Sequence, residues 1–158
     1  MLLVGLPGSG KSTWAARQKE TALSSDEMRR LLADDPTDQT IHRRVFAAMR
    51  YLARARHEIG RPVTYIDATN LTRQDRRPWI ALAGLLGCEA EAIFFDTPPR
   101  ICLERNRARR RNVPEEAMAE MLVRLSPPAI DEGFTRIVKL RGATAPTLAE
   151  GAWSGYAP

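Results

Sequence analysis

Nine residues near the start of the chain carry its most specific chemistry. Gly5-Leu6-Pro7-Gly8-Ser9-Gly10-Lys11-Ser12-Thr13 fits the phosphate-loop pattern G-x-x-x-x-G-K-[ST]. Glycines let such a loop curl until successive backbone N–H groups of Gly8, Ser9, Gly10, Lys11, Ser12 and Thr13 converge on one anion. A helix beginning there adds its positive end. Lys11 is then placed for the β- and γ-phosphates of a nucleoside triphosphate, and the Ser12 hydroxyl for Mg²⁺. The competing reading is an ordinary glycine-rich turn, which the full match and its flanks disfavour.

Phosphoryl transfer also needs carboxylates and extra cations. Asp26, Asp67 and Asp96 each follow a short apolar run. In a parallel α/β sheet those positions are strand carboxyl ends, where ligands bind. Asp26 is the candidate general base for an attacking hydroxyl, with a helix N-cap as its alternative. Arg29, one helical turn on, could hold a phosphate next to that hydroxyl, or form only a surface ion pair. Asp67 could support metal, directly or through water, or could pin a loop. Asp96 reads as a cap more readily than as a ligand. Arg105-Asn106-Arg107-Ala108-Arg109-Arg110-Arg111 places Arg105 and Arg109 on one helix face. Like charges there repel unless an arriving phosphate offsets them, the alternative being a solvated basic face with Glu104 as partner.

The elements that must position these groups alternate as β and α, the pattern of a parallel sheet. Strands are expected at 1–4, 21–24, 63–66, 90–95 and 134–140. Helices are expected at 13–18, 27–33, 39–59, 72–86, 99–110 and 114–125. Val45, Met49, Leu52 and Ile59 form part of the apolar stripe of the long helix, which Gly60-Arg61-Pro62 ends. Thr72-x-x-Asp75 reads as a capping box, Pro78 as a kink and Gly87 as a helix stop. The expected organisation is one domain over 1–141 and a loosely ordered tail over 142–158 containing Trp153 and Tyr156.

Composition sets outer bounds. The chain has 158 residues, enough for a core covered on both faces, and a net charge of +5 that suits a polyanionic partner. Aromatic residues make up only 6%, against a stacking platform for many bases. Cys88 and Cys102 lie in apolar runs without metal-ligand spacing and are expected to be core thiols. No signal peptide or long apolar run is present, so a cytoplasmic protein without a membrane partner is expected. The absence of N-K-x-D disfavours a GTPase switch. No apolar strand ends in Asp-Glu, which disfavours helicase and AAA-type motors.

Taken together, these residues resemble the 5′-kinase domain of polynucleotide kinases, within the P-loop kinase superfamily. The resemblance rests on Gly5–Thr13 with Trp14-Ala15, Ser25-Asp26-x-x-Arg29, Asp38-Gln39-Thr40, Asp67-Ala68-Thr69-Asn70-Leu71, and Arg105-Asn106-x-x-Arg109 with Val113-Pro114. It runs from Met1 to about Val138. It implies a central, mostly parallel sheet of four to five strands, helices on both faces and an arginine-rich helical lid. It also implies Lys11 and Ser12 on the phosphates and Mg²⁺ of ATP or another NTP, Asp26 as base for a nucleic-acid 5′-hydroxyl, and Arg29 on the adjacent phosphate. Asp38, Gln39, Thr69 and Asn70 would complete the acceptor site. Arg105 and Arg109 would be lid residues, with Arg111, or Arg110 because the spacing is one residue short, in a further position. Phage members place the acid directly before Thr-Asn, whereas here Ala68 intervenes, which leaves the task of Asp67 open. No D-x-D-x-T run or ligase lysine motif occurs, so a phosphatase or ligase would be a separate partner. A homo-oligomer remains open. The alternatives are a kinase of a small molecule or aminoacyl-tRNA, and a non-catalytic module that binds RNA ends.

Overall fold

The structure, a computed structural model, describes residues 1–109 and 112–141. The expected tail at 142–158 therefore lies outside the described residues. Five strands, β1 (Leu2–Val4), β2 (Ala22–Ser24), β3 (Tyr65–Asp67), β4 (Glu91–Asp96) and β5 (Arg136–Arg141), form one sheet in the order β2-β3-β1-β4-β5. Every neighbouring pair is parallel. β1 is the middle strand, and its side chains alternate between two cores. Leu2 and Val4 join Ile66, Ala92 and Phe94 on one face, while Leu3 joins Tyr65, Ile93 and Phe95 on the other.

Helices cover both faces. Val45 and Met49 of α3 (His42–Glu58) and Trp79 of α4 (Arg73–Leu85) pack on the first core. Trp14 of α1 (Lys11–Ala15) packs on the second, edge-on to Tyr65 and Phe95 with centroids at 5.4 and 6.1 Å. Of the expected α3 stripe, Ile59 is a correction: it is exposed, because the helix has ended by then. Gly60 takes φ 74°, and Arg61 N–H returns to Arg56 O at 2.9 Å. α4 begins with the expected capping box, Asp75 N–H donating to Thr72 Oγ1 at 3.1 Å and Thr72 N–H to Asp75 Oδ2 at 3.0 Å.

Three further helices complete the fold: α2 (Ser25–Ala33), α5 (Pro99–Arg107) and α6 (Glu115–Arg124). α5 and α6 close a third cluster with the loops after β1 and β3, formed by Leu6, Leu71, Cys102 and Met118. Cys102 is a core thiol as expected, whereas Cys88 is only half-buried, in the turn that ends α4. Asp96 is also a correction. It does not cap α5, where Pro98 takes the N-cap position, but pairs across the sheet with Lys139 at 3.0 Å and Arg141 at 3.9 Å. No helix of the described residues is long and apolar enough to cross a membrane.

Candidate active site

The loop between β1 and α1 leaves the middle of the sheet at its carboxyl edge, where the strand order reverses between β3 and β4. Neighbours on every side hold it. Gly5 N–H donates to Thr69 O at 3.1 Å, and Thr97 Oγ1 donates to Ser9 O at 3.0 Å. Gly8 has φ 80° and lies so close to α5 that a Cβ there would stand 2.4 Å from Cys102 O. Only glycine permits both that dihedral and that approach. α5, the helix expected to form the lid, is thereby seated directly on the phosphate loop.

Lys11 is buried, and its ammonium donates to Gly5 O at 2.7 Å and Leu6 O at 2.8 Å, with Ser9 Oγ at 3.4 Å. Burial lowers its pKa from 10.5 to about 8, an effect opposed by Asp67 and reinforced by Arg109. Asp67, at the end of β3, lies in register with Ser24 of β2 and Leu3 of β1. Burial raises its pKa, while the Ser12 hydroxyl, Lys11 and Arg109 draw it back down and Asp26 pushes it up. A hydroxyl and a carboxylate so placed are hard oxygen donors of the kind Mg²⁺ accepts. Among the described residues no group of three or more His, Cys, Asp and Glu could hold a metal. A cation here would therefore be shared between Ser12, Asp67 and phosphate oxygens. Thr13 follows in α1, exposed.

α2 begins directly after β2, so Asp26 enters the site from the strand beside β3. Ser24 is the N-cap of α2, its hydroxyl accepting from Glu27 N–H at 3.4 Å. Asp26 is in the first turn, where the helix's positive end favours a carboxylate. Its charge is felt at both Lys11 and Asp67. Arg29 is only 5% exposed. It donates to Asp26 Oδ1 at 3.2 Å and to Gln39 Oε1 at 3.3 Å, while its buried Nε has no partner among the described residues. Asp38 builds the loop that brings Gln39 there, accepting from Thr40 N–H at 2.8 Å and from its hydroxyl at 2.6 Å.

From the lid, Arg105 Nη1 donates to Gly8 O at 3.4 Å, and the charge of Arg109 reaches Lys11 and Asp67. Asn106 braces the lid turn, its amide donating to Val113 O at 2.7 Å while its carbonyl accepts from Val113 N–H at 2.9 Å. Glu104 pairs with Arg100 at 3.7 Å, and Glu115 with Arg107 at 2.7 Å. Arg110 and Arg111 lie outside the described residues.

Asn70, expected in the acceptor site, and Arg76, not singled out from the sequence, both hold the framework of the loop after β3. Asn70 is 2% exposed at φ 47°, and its amide donates to Leu3 O at 2.8 Å. It ties the loop after β3 to β1, while Thr69 offers its carbonyl to Gly5. Arg76 is completely buried, paired with Glu132 at 2.7 Å and donating to Asn70 O, Leu71 O and Ser126 O at 2.9–3.1 Å. Its spacing of three residues before Trp79 puts it on the inward stripe of α4, but its partner Glu132 comes from a distant part of the chain.

A sequence-family model described as "AAA domain" matches residues 1–128. The chain belongs to that family. β3 ends at Asp67 and Ala68 follows it, so this strand does not end in the Asp-Glu of AAA-type motors. Among solved structures, the crystal structure of a gluconokinase from Sinorhizobium meliloti 1021 matches with a TM-score of 0.60 and 20% identity. The match covers 91% of this chain and 82% of that one. At such identity the likeness establishes the fold alone, which is that of P-loop kinases. No curated protein sequence matches the chain. The P-loop kinase-like part of the resemblance is thus supported.

Proposed function

We propose that this AAA-domain protein is an ATP-dependent phosphotransferase whose acceptor carries an anion beside the reacting hydroxyl, namely the 5′-hydroxyl end of RNA or DNA. The observation that carries this reading is Arg29, buried, steered by Asp26 and Gln39, and with Nε unpartnered. Each Nη group spends one N–H on Asp26 or Gln39, and a phosphodiester would take the donors they keep.

Lys11 would leave the Gly5 and Leu6 carbonyls for the β- and γ-phosphates. Mg²⁺ would be held by Ser12 and, directly or through water, Asp67, and when bound it neutralises charge on the phosphate oxygens. Arg29 orients the acceptor so that its hydroxyl meets Asp26. Asp26 accepts the hydroxyl proton as the new O–P bond forms, and the bond between the γ-phosphorus and the bridging oxygen breaks to release ADP. Arg105 and Arg109 stabilise the charge on the transferring group from the opposite side. Phosphates, not base edges, provide the grip, so little sequence preference is expected.

A second reading has its own support. The gluconokinase likeness favours a small acceptor, and the carboxylate of an acid sugar would also satisfy Arg29. Labelled ATP offered with 5′-hydroxyl oligonucleotides of RNA and DNA, gluconate and serine separates the two. Label on oligonucleotides, lost in Asp26→Ala while circular dichroism stays native, is the expected result. Label only on gluconate or serine decides for the small-molecule kinase. A folded Asp26→Ala with near wild-type turnover removes Asp26 as base.

A further inference from the structure

We propose that the groove between α3 and α4 is a binding track for the single-stranded body of a nucleic-acid acceptor. The inference rests on the acceptor reading above and extends it away from the reacting end. Both helices begin at the carboxyl edge of the sheet. Gln39, just before α3, touches Arg29, and the first turn of α4 holds Asp75. His42 stands at that edge, within reach of the charges of both Arg29 and Asp75. Its ring packs on Phe46 at 4.5 Å, and Phe46 in turn meets Trp79 at 6.2 Å.

Beyond these rings the two helices enclose an open groove of about 470 Å³, lined by Arg50, Tyr51 and Arg54 of α3 and by Pro78, Leu82 and Leu85 of α4. Tyr51 is 72% exposed and Leu85 79%. Neither Arg50 nor Arg54 has a carboxylate partner among the described residues. α3 carries five arginines against the single acid Glu58. From His42 to Arg54 the helix advances about 18 Å, the length of a few nucleotides.

Charge complementarity selects the occupant. A second copy of this cationic face would meet like charge, whereas a single strand offers phosphates to the arginines and a base to Tyr51. The small aromatic content is no obstacle, because one ring at the exit and one in the groove are enough for a short track.

The test compares wild type with Arg50→Gln/Arg54→Gln and with Tyr51→Ala, all at exposed or half-buried positions away from the reacting groups. The acceptors are a 5′-hydroxyl dinucleotide and a ten-nucleotide strand. The expected result is unchanged KM for the dinucleotide in every variant, and loss of a roughly tenfold KM advantage of the long strand. The double variant should also reduce the log–log salt slope for the long strand by about 1.4, two contacts at about 0.7 each. Fluorescence anisotropy of the labelled strand without ATP provides an independent readout. Strand binding that is lost in the variants, with no transfer to any oligonucleotide, retains the track and removes the kinase reading. A length advantage and salt slope that survive in both variants overturn the track. Light scattering that shows a dimer dispersed by Tyr51→Ala would overturn it in favour of self-association.

Discussion

Lys11 offers the sharpest quantitative test, because one buried ammonium should make stability and nucleotide affinity respond to pH in opposite directions. In the structure its charge rests on two loop carbonyls, and burial lowers its pKa to about 8 from 10.5. Below pH 8 the folded and unfolded chains both carry the proton, so the penalty of burying the charge is fully present. Between pH 8 and 10.5 the folded chain releases the proton first, the unfolded chain binds more protons, and stability rises with pH. The shift corresponds to a gain of up to about 3 kcal/mol across that window. Nucleotide affinity should move the other way, since the phosphates need the ammonium. If binding restores an ordinary lysine pKa, affinity falls about twenty-fold between pH 7.5 and 9.5. Urea unfolding and nucleotide titration at matched pH values, on wild type and Lys11→Met, give both curves. Subtracting the Lys11→Met curve removes other titrating groups, including the Met1 amine, whose pKa is lowered to about 6 mainly by burial. Parallel stability curves for the two proteins from pH 8 to 10.5 would refute the argument. A flat affinity profile would show that Lys11 does not reach the phosphates.

Three other perturbations test the framework around this lysine. Arg105→Ala or Arg109→Ala should reduce turnover by about 10²–10⁵ while leaving the melting temperature near wild type, if the arginines act like an arginine finger; steady-state kinetics beside a thermal melt reads both. Gly8→Ala forces a side chain into Cys102 O at a positive φ, so nucleotide binding measured by calorimetry should collapse while a weakened fold persists. Arg76→Ala strips the buried Glu132 of its close partner, leaving it only Arg73 at 4.0 Å and the Ala129 N–H, and should destabilise by about 3 kcal/mol in urea unfolding; a loss below 1 kcal/mol would mean that Arg73 or water replaces the arginine.

The chain by itself determined whatever depends on near neighbours. The phosphate loop, the Thr72–Asp75 box, the glycine stops and the β/α alternation were legible because each is decided within a turn or two of backbone. The same locality allowed the pairing of Asp26 with Arg29 to be anticipated from their spacing. Spacing could not reveal that Arg29 is buried and meets Gln39, ten residues further along the chain. Nor could it place Ser12 beside Asp67, because that meeting depends on β3 lying next to β1 in the order β2-β3-β1-β4-β5. Asn70, Asp96 and Arg76 misled or escaped for one reason: their partners are Leu3, Lys139 and Glu132, more than forty residues away along the chain. Contacts of that range form only when the sheet closes and buries polar groups that must then find partners, so tertiary packing alone could decide them.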